Sequence, residues 1–509
     1  MTLRTLLRPI SLLALASGML AAPVPAFAQD ADPMAAIVER LDRLERENAA
    51  LRDEVGALRQ AAPVAVAPPL PPPLPPRPAP ARVPASTTPE RSEKVVGIAS
   101  GYSYAMLDAA EETNTKPIVQ LQAIADGTLD SSVTLSGNVV AIANAQWSNA
   151  DDTFGYLMRH PTGANQNGRH TSEAVLHSAK LAVTAKVARA VTAYAELLYD
   201  PQQSFGPGNI TALTRNQLQL RRGWVMLGDL NRSPAYALIG KMDIPFGLND
   251  TVNPFTNSTS WHAFAGLAYG AQAGYYDGNL HVRAMAVQGG SQFRGANVPV
   301  NGTVVPSRLN NFALDASYTA DLSQGNRVRV GGSYLHGTAY CQNYPVVHFN
   351  PCDERNGAWA AYTKANLGDL TLIGEIARTT DVWAGTAVPD PTNPLSVFEP
   401  VKVTAFTLGS RYGFGDRADT PATREFNVSA EFSRFVAGDD GAPWEAQNQL
   451  VAGLSWFPTG NVNLFGEFAR AEGFVPLNFL SGGNQPNGGT WSRQDVNTNV
   501  VLLGVETAF

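Results

Sequence analysis

From about Ser132 to the end of the chain, apolar and polar residues alternate in stretches of roughly ten residues. The clearest stretches are 426–433 and 462–469, in which one set of alternate positions is apolar and the other is largely polar. A period of two predicts β-strands that have one apolar face.

The connections between these stretches alternate between short and long. Short turns are expected at 185–190, 229–234, 277–279, 321–326, 366–369, 413–424 and 458–461. Longer polar loops are expected at 148–173, 200–213, 247–263, 289–309, 337–356, 379–400, 436–446 and 471–494. This pattern predicts an all-β transmembrane barrel of sixteen antiparallel strands over 132–509, with short periplasmic turns and long external loops. Both ends of the barrel then lie on the periplasmic side.

Residues 95–131 fit the alternation less well. The stretch 118–124 can be read as a strand, and two strands in this region would raise the barrel to eighteen. Otherwise the segment lies in the periplasm or enters the lumen, and the sequence leaves these alternatives open.

The chain ends on Phe509, and Val501, Leu503, Val505 and Thr507 share its face of the last strand. A terminal apolar-faced strand that ends in Phe resembles the assembly signal of bacterial outer-membrane barrels. The alternative is a soluble β-sandwich or propeller with many strands.

Residues 1–28 have the pattern of a secretory signal peptide. Arg4 and Arg8 precede an apolar stretch at 10–22, and Ala26-Phe27-Ala28 fits a small-x-small cleavage site. The mature chain is therefore expected to leave the cytoplasm, although an uncleaved anchor is the alternative. The apolar stretch is too short to span a bilayer as a helix.

Residues 29–60 are expected to form a periplasmic helix with a coiled-coil seam. An apolar spacing of three and four residues, with opposite charges at the flanking positions, favours parallel self-association over a single solvated helix or one packed on the barrel. The heptads do not choose between dimer and trimer. The seam consists of Met34, Leu41, Asn48 and Val55 at the a positions and Ile37, Leu44, Leu51 and Leu58 at the d positions.

Residues 61–94 are a proline-rich linker. A third of the 36 prolines lie between Pro63 and Pro89. Such a run favours extended polyproline II, so the segment is expected to be a semi-rigid spacer.

Composition agrees with a membrane barrel. Charged residues make up only 16% of the chain, which fits a large lipid-facing surface. The net charge of −7 argues against a nucleic-acid partner.

The face opposite the apolar one is expected to line a pore. Most of its cations precede position 330 and most of its anions follow position 370, so a basic wall is expected to face an acidic wall. That arrangement sets a transverse field across the water and discriminates solutes by size and dipole. The alternative is hydrated charges without selectivity. The predicted lining residues are Lys180, Glu196, Arg221, Lys241, Asp243, His281, Arg283, Asp315, Arg327, Arg329, Lys364, Glu375, Arg411, Glu431, Glu467 and Glu506.

Arg222 breaks this pattern, because it falls on the apolar face with Leu218, Leu220 and Trp224. An exposed arginine in mid-membrane costs about 2–4 kcal/mol. It is expected at the membrane interface, at a subunit contact or at a bulge, and it weakens the assignment of Arg221 to the lumen.

The third external loop, 247–263, is rich in Asn, Thr and Ser. In porins the third loop usually folds inward, so this one is expected to narrow the channel through Asp250, Asn253 and His262. The alternative is an ordinary surface loop.

Cys341 and Cys352 lie in one external loop and are expected to form a disulfide, because the compartment is oxidising. A metal site with His348 would lack a fourth ligand. The sequence has none of the common catalytic motifs, so we expect no enzyme, no cofactor and no metal.

The chain resembles the coiled-coil-bearing porins related to the phosphate-selective porins O and P, including the DcaP-like group. The resemblance is carried by the heptads, the strand count, Phe509 and the stretches 221–224 and 240–247. It implies a homotrimer in which each subunit is its own channel. A siderophore-porin-like group is a second candidate. Phosphate selectivity does not carry over, because the phosphate porins have Lys-rich lumens and this chain has only seven Lys.

The sequence therefore predicts a trimeric porin of a Gram-negative outer membrane that admits small hydrophilic solutes by passive diffusion. One alternative is a structural tether that contacts the cell wall and presents a surface. Another is a substrate-specific channel for a siderophore or a small organic anion.

Overall fold

A computed structural model describes residues 95–151, 169–200, 217–288, 309–322, 325–338, 340, 355–383, 399–416, 424–442, 445–474 and 495–509. The predicted signal peptide, coiled-coil seam, proline-rich linker and cysteine pair lie outside these ranges.

Sixteen antiparallel strands form one closed barrel, as the alternation predicts. Each strand pairs with its neighbours in the chain, and the last pairs with the first through partners such as Leu502 and Asn144. The eighteen-strand alternative is wrong. The barrel strands are β2 (Val133–Ser148), β3 (His170–Ala188), β4 (Val191–Asp200), β5 (Gln217–Gly228), β6 (Ala235–Asp243), β7 (Leu267–Tyr276), β8 (Leu280–Gln288), β9 (Leu309–Asp321), β10 (Arg327–Leu335), β11 (Ala358–Leu367), β12 (Leu370–Thr379), β13 (Thr404–Phe414), β14 (Phe426–Val436), β15 (Ala446–Thr459), β16 (Val462–Gly473) and β17 (Val496–Ala508).

The residues before the barrel form a short strand and two helices. They are β1 (Val96–Ile98), which pairs in parallel with the start of β2, α1 (Ser100–Leu107) and α2 (Lys116–Ala125). The strand considered at 118–124 is wrong, because these residues lie within α2. Pro117 stands in the first turn of this helix, where its fixed φ favours a helix start.

The outer surface of the barrel is apolar. In β17, Val501 and Leu503 are exposed by 44% and 64%, whereas Leu502 between them is 1% exposed. Exposed aromatic residues flank this band in two belts, as in bacterial outer-membrane barrels. Tyr275, Tyr318, Tyr412, Phe414 and Trp456 lie near the short turns, and Trp147, Phe312 and Trp359 lie near the long loops.

This outer surface and the closed sheet identify a transmembrane β-barrel of the outer-membrane type. Within the described ranges, no helix is both long and apolar enough to cross a membrane.

The terminal Phe509 completes the barrel closure. Its N–H donates to the carbonyl oxygen of Gly137 at 3.0 Å, and its own carbonyl accepts from the N–H of Gly137 at 3.0 Å. A Cβ on Gly137 would lie only 2.1 Å from the Phe509 ring. The ring therefore needs a glycine opposite it at the rim.

Replacing Leu503 by Arg tests the lipid-facing surface. Because Leu503 lies in the middle of β17 on the outer face, L503R is expected to lower the free energy of unfolding in lipid vesicles by about 2–4 kcal/mol. L503A serves as the control for lost side-chain volume. Equal unfolding midpoints in urea for the two variants would show that position 503 does not face lipid.

Candidate functional site: the lumen of the barrel

The third external loop (loop 3, 247–263) folds inward along one wall of the barrel. Glu375 on β12 accepts hydrogen bonds from the N–H groups of Leu248 and Asn249 at 2.9 and 3.2 Å. Two backbone N–H groups that converge on one buried carboxyl group hold the start of the loop against the wall.

Two more carboxylates continue this arrangement along the wall. Glu431 on β14 accepts from the Val252 N–H and from the Thr251 hydroxyl, at 3.2 and 2.8 Å. Glu467 on β16 accepts from the N–H groups of Phe255 and Thr256, at 2.7 and 3.0 Å. Most of the expected acidic wall therefore faces the backbone of loop 3, and the expected field across open water is wrong for these three glutamates.

The candidate constriction residues lie within this inward-folded loop. Asp250 accepts from the Lys364 ammonium at 2.9 Å, and the Asn253 side-chain oxygen accepts from the Ser429 hydroxyl at 3.2 Å. His262 is buried in the short helix α3 (Thr259–Phe264), which Ser258 caps by accepting from the Trp261 N–H.

Residues 95–131, here called the lumenal segment, cross the inside of the barrel. On one side its tyrosines bond strand residues: the Tyr102 hydroxyl lies 2.7 Å from that of Thr184 on β3, and the Tyr104 hydroxyl donates to Glu506 on β17 at 3.4 Å. The Gln120 amide donates to the Thr192 hydroxyl on β4 at 2.9 Å.

Apolar packing holds the same side. Side chains of α1 and α2 belong to one buried apolar cluster, which runs along the inner face of β3–β8 and continues through loop 3 and β9–β14. From the helices this cluster includes Tyr102, Met106, Leu107, Ile118 and Leu121, and from the wall it includes Ala182, Tyr194, Trp224, Met226, Tyr236 and Leu238.

Ion pairs connect the lumenal segment to the opposite wall. Glu111 forms ion pairs with Arg411 at 2.5 Å and with Lys364 at 2.8 Å. Glu112 forms an ion pair with Arg329 at 3.4 Å. Arg329 and Lys364 are direct partners on β10 and β11, and Arg411 lies on β13. The ion cluster, as we call it, consists of Glu111, Glu112, Asp250, Arg329, Lys364 and Arg411.

The cluster keeps both glutamates of the lumenal segment ionised. Burial by itself would raise the pKa of Glu111, but the charges of Arg411 and Lys364 outweigh it and lower this pKa to about 2. Burial is likewise outweighed at Glu112, where Arg329 and Lys364 hold the pKa well below its usual range. Both carboxylates are therefore ionised at neutral pH.

Other predicted lining residues also contact protein groups. The Lys180 ammonium donates to the Leu107 carbonyl of the lumenal segment at 2.6 Å. Arg283 pairs with Asp315 at 2.7 Å. His281 lies 2.8 Å from the Tyr236 hydroxyl.

Arg327 differs from these residues, because its side chain remains 58% exposed. It pairs with Asp321 at 2.6 Å at the short-turn end of β10. It therefore belongs to the rim of the lumen.

The assignment of Arg222 to the apolar face is wrong, and the bulge that was one of its expected explanations is confirmed. A β-bulge between β4 and β5 aligns Glu196 with Arg222 and Leu197 with Leu220, which leaves Arg221 as the extra residue. Arg222 is buried, donates to Glu196 at 3.2 Å and donates to Asp243 at 3.0 Å. Arg221 approaches Glu196 at 3.7 Å with its side chain 29% exposed.

The assignment of Lys241 to the lumen is also wrong. In β6 the buried residues are Tyr236, Leu238 and Met242, so Lys241 shares the outer face with Ile239. Its ammonium donates to the Leu220 carbonyl at 2.8 Å. A lysine satisfied by a backbone carbonyl lies on this face at a smaller cost than an unpaired one.

Sequence reasoning missed the residues of the lumenal segment that bind the wall. Lys116 is fully buried, and its ammonium donates to the carbonyls of Ala105 and Glu111 at 2.7 and 2.8 Å, which fixes the turn between α1 and α2. Asn114 accepts from Arg283 through its carbonyl at 2.6 Å. The available signal was the dense run of ionisable residues from Asp108 to Lys116 within a segment that does not alternate.

A cavity of about 830 Å³ lies beside the ion cluster. The lumenal segment forms one side of it, strands β7–β13 form the other, and the short turns at Gly278, Gly325 and Gly368 border it. The Glu111 and Arg411 side chains line it. This is a charged aqueous compartment at the short-turn end of the barrel.

Comparison with known proteins gives matches only at the level of structure. No protein-family model matches the chain, and no curated protein matches it significantly. The chain is similar to the outer membrane channel DcaP of Acinetobacter baumannii at 15% identity, with 74% of this chain and 97% of that chain covered and a TM-score of 0.44.

Two further similar structures are an anion-selective porin from Comamonas acidovorans and OprB of Pseudomonas putida. The first has 13% identity, coverage of 74% and 99%, and a TM-score of 0.44. The second has 10% identity, coverage of 79% and 99%, and a TM-score of 0.44. DcaP is the namesake of the group that the sequence resembles.

Replacing Arg283 by Met tests whether the lumenal charges are structural. Both side chains of the Arg283–Asp315 pair are almost fully buried, so R283M is expected to cost about 3–5 kcal/mol of unfolding free energy by leaving Asp315 without its cationic partner.

The matched control is R327M, which removes an exposed partner of Asp321 and is expected to cost less than about 1 kcal/mol. R283M/D315N is expected to recover part of the loss. Equal urea midpoints for R283M and R327M would contradict a buried, structural pair.

Proposed function

We propose that this protein is a channel of the bacterial outer membrane that passes small hydrophilic solutes by passive diffusion. The observation that carries the proposal is the inside of the barrel. Polar and charged side chains line an enclosed space, loop 3 narrows it, and an aqueous cavity of about 830 Å³ remains beside the lumenal segment. A barrel whose role is only to present a surface needs no such compartment.

The wall charges act on solutes mainly within this cavity. Loop 3 covers Glu375, Glu431 and Glu467, so little of the predicted acidic wall is available to a passing solute. The cavity itself is lined by charges of both signs, including Glu111, Lys364 and Arg411. We therefore propose that size and dipole select the solute more strongly than net charge does.

The lumenal segment favours a selective channel over a wide general one. It bonds β3 and β17 on one side and β10–β13 on the other, which divides the barrel interior. A solute must pass beside it, so the free cross-section is a fraction of that of the empty barrel. We therefore expect only small solutes to pass, because the remaining space is narrow.

We further propose that the protein is a homotrimer that residues 34–60 help to assemble in the periplasm. The support is the heptad pattern with opposite charges at its flanks. Both ends of the barrel lie on the side of the short turns, from which such a helix would extend.

Conductance in a planar bilayer tests the channel. The purified full chain is expected to give discrete open steps in multiples of three, because each subunit carries its own pore. If folded protein gives no conductance with any salt or small solute tried, the result would instead support a structural tether.

Deletion of residues 34–60 tests the trimer. The shortened protein is expected to run more readily as a monomer in mild detergent and to keep its conductance per barrel. The matched control is a reordered 34–60 of identical composition that destroys the heptads. An unchanged trimer in both proteins would show that the barrel alone drives assembly.

A further inference from the structure

The lumenal segment leaves and rejoins the barrel wall at one point. Val96 and Ile98 of β1 lie in parallel register with Val133 and Leu135 of β2, so the two ends of the segment are neighbours at the rim. The helices between them are not threaded through the sheet. The segment can therefore move relative to the wall without breaking any of the sixteen antiparallel pairings.

The two sides of the segment are held by different forces. Met106, Leu107 and Leu121 of the segment are each no more than 1% exposed and belong to the buried apolar cluster, with Leu121 next to Gly228 at the end of β5. Toward β10–β13 its contacts are the ion pairs of Glu111 and Glu112, while Ala110 and Asn114 beside them bond loop 3. Apolar burial depends little on salt, whereas ion pairs next to water weaken as salt screens them.

The ionic side is also the side that water reaches. The Glu111 and Glu112 side chains are 23% and 37% exposed, and both line the cavity beside the segment. Arg329, Lys364 and Arg411 line the same cavity. The ion pairs between the segment and the β10–β13 wall therefore lie at the surface of this cavity.

We propose that Glu111 and Glu112 form a latch that closes the channel, and that solutes pass along the β10–β13 wall when the latch is released. The inference rests on the proposed channel function. The apolar side holds the segment in the barrel in both states, and the ionic side alternates between bonded and released. The two glutamates act as built-in counter-ions for the three wall cations.

The test is the single-channel conductance of E111Q/E112Q in planar bilayers in about 0.1 M KCl, where screening is modest. Glutamine keeps the side-chain size and removes the charge. The variant is expected to conduct about twofold or more above the unmodified protein, because its segment no longer pairs with Arg329, Lys364 and Arg411. The matched control, D126N/D130N, removes two exposed charges from the same segment outside the ion cluster and is expected to conduct as the unmodified protein does.

A second measurement starts from the unmodified protein. The conductance of the unmodified protein, divided by the conductivity of the solution, is expected to rise between about 0.1 M and 1 M KCl, as the screening length falls from about 10 Å to 3 Å. In E111Q/E112Q this ratio is expected to stay level or fall, as in a pore with fixed charged walls.

Two results would overturn the latch. The first is equal conductance for E111Q/E112Q and D126N/D130N. The second, which applies even if E111Q/E112Q does not fold, is a ratio of conductance to solution conductivity that falls with salt in the unmodified protein. Deletion of residues 99–131 separates this failure from that of the channel itself. If the protein without residues 99–131 conducts and E111Q/E112Q conducts as the unmodified protein does, only the latch is rejected. If none of the folded proteins conducts, the channel is rejected as well.

Discussion

In the hydrocarbon core no water can bond the backbone, so every strand N–H and C=O must find a partner within the sheet. Only a closed barrel meets this requirement, and β17 closes this one by pairing with β2. Phe509 and Gly137 complete the last bonds at the rim. The apolar outer face and the polar inner face follow from closure, because alternate side chains must then point to lipid and to the lumen.

The lumen has its own constraint, since a polar or charged group away from water is costly without a partner. The barrel meets it by bringing chain inside. Backbone N–H groups of loop 3 satisfy Glu375, Glu431 and Glu467, and the lumenal segment supplies Glu111 and Glu112 to the opposite cations. The charges that narrow the channel are thus the charges that hold its contents in place, which links stability to permeation.

Much of the fold could be predicted because side chains alternate between the two faces of a strand with a period of two residues. The turn residues mark the end of each strand separately, so an error in one strand does not carry over to the next. The strand count and the alternation of short and long connections follow from this. Arg222 was placed on the wrong face, because the bulge opposite Glu196 adds one residue and exchanges the faces beyond it. Lys241 was misassigned for a similar reason. Which of the two alternating faces of a strand points into the lumen depends on its register with the neighbouring strands, and the pattern of apolar residues leaves that register open.

The sequence by itself determined the barrel, its lipid-facing surface and the ends from which loops and turns project, and it favoured sixteen strands over eighteen. These are local consequences of alternation and turn chemistry, and they need no knowledge of distant residues. Only the tertiary structure decided what fills the lumen. The pairing of Glu111 with Arg411, or of Glu467 with Phe255, joins residues that are hundreds of positions apart, and their identity depends on barrel closure and on how each inserted segment packs.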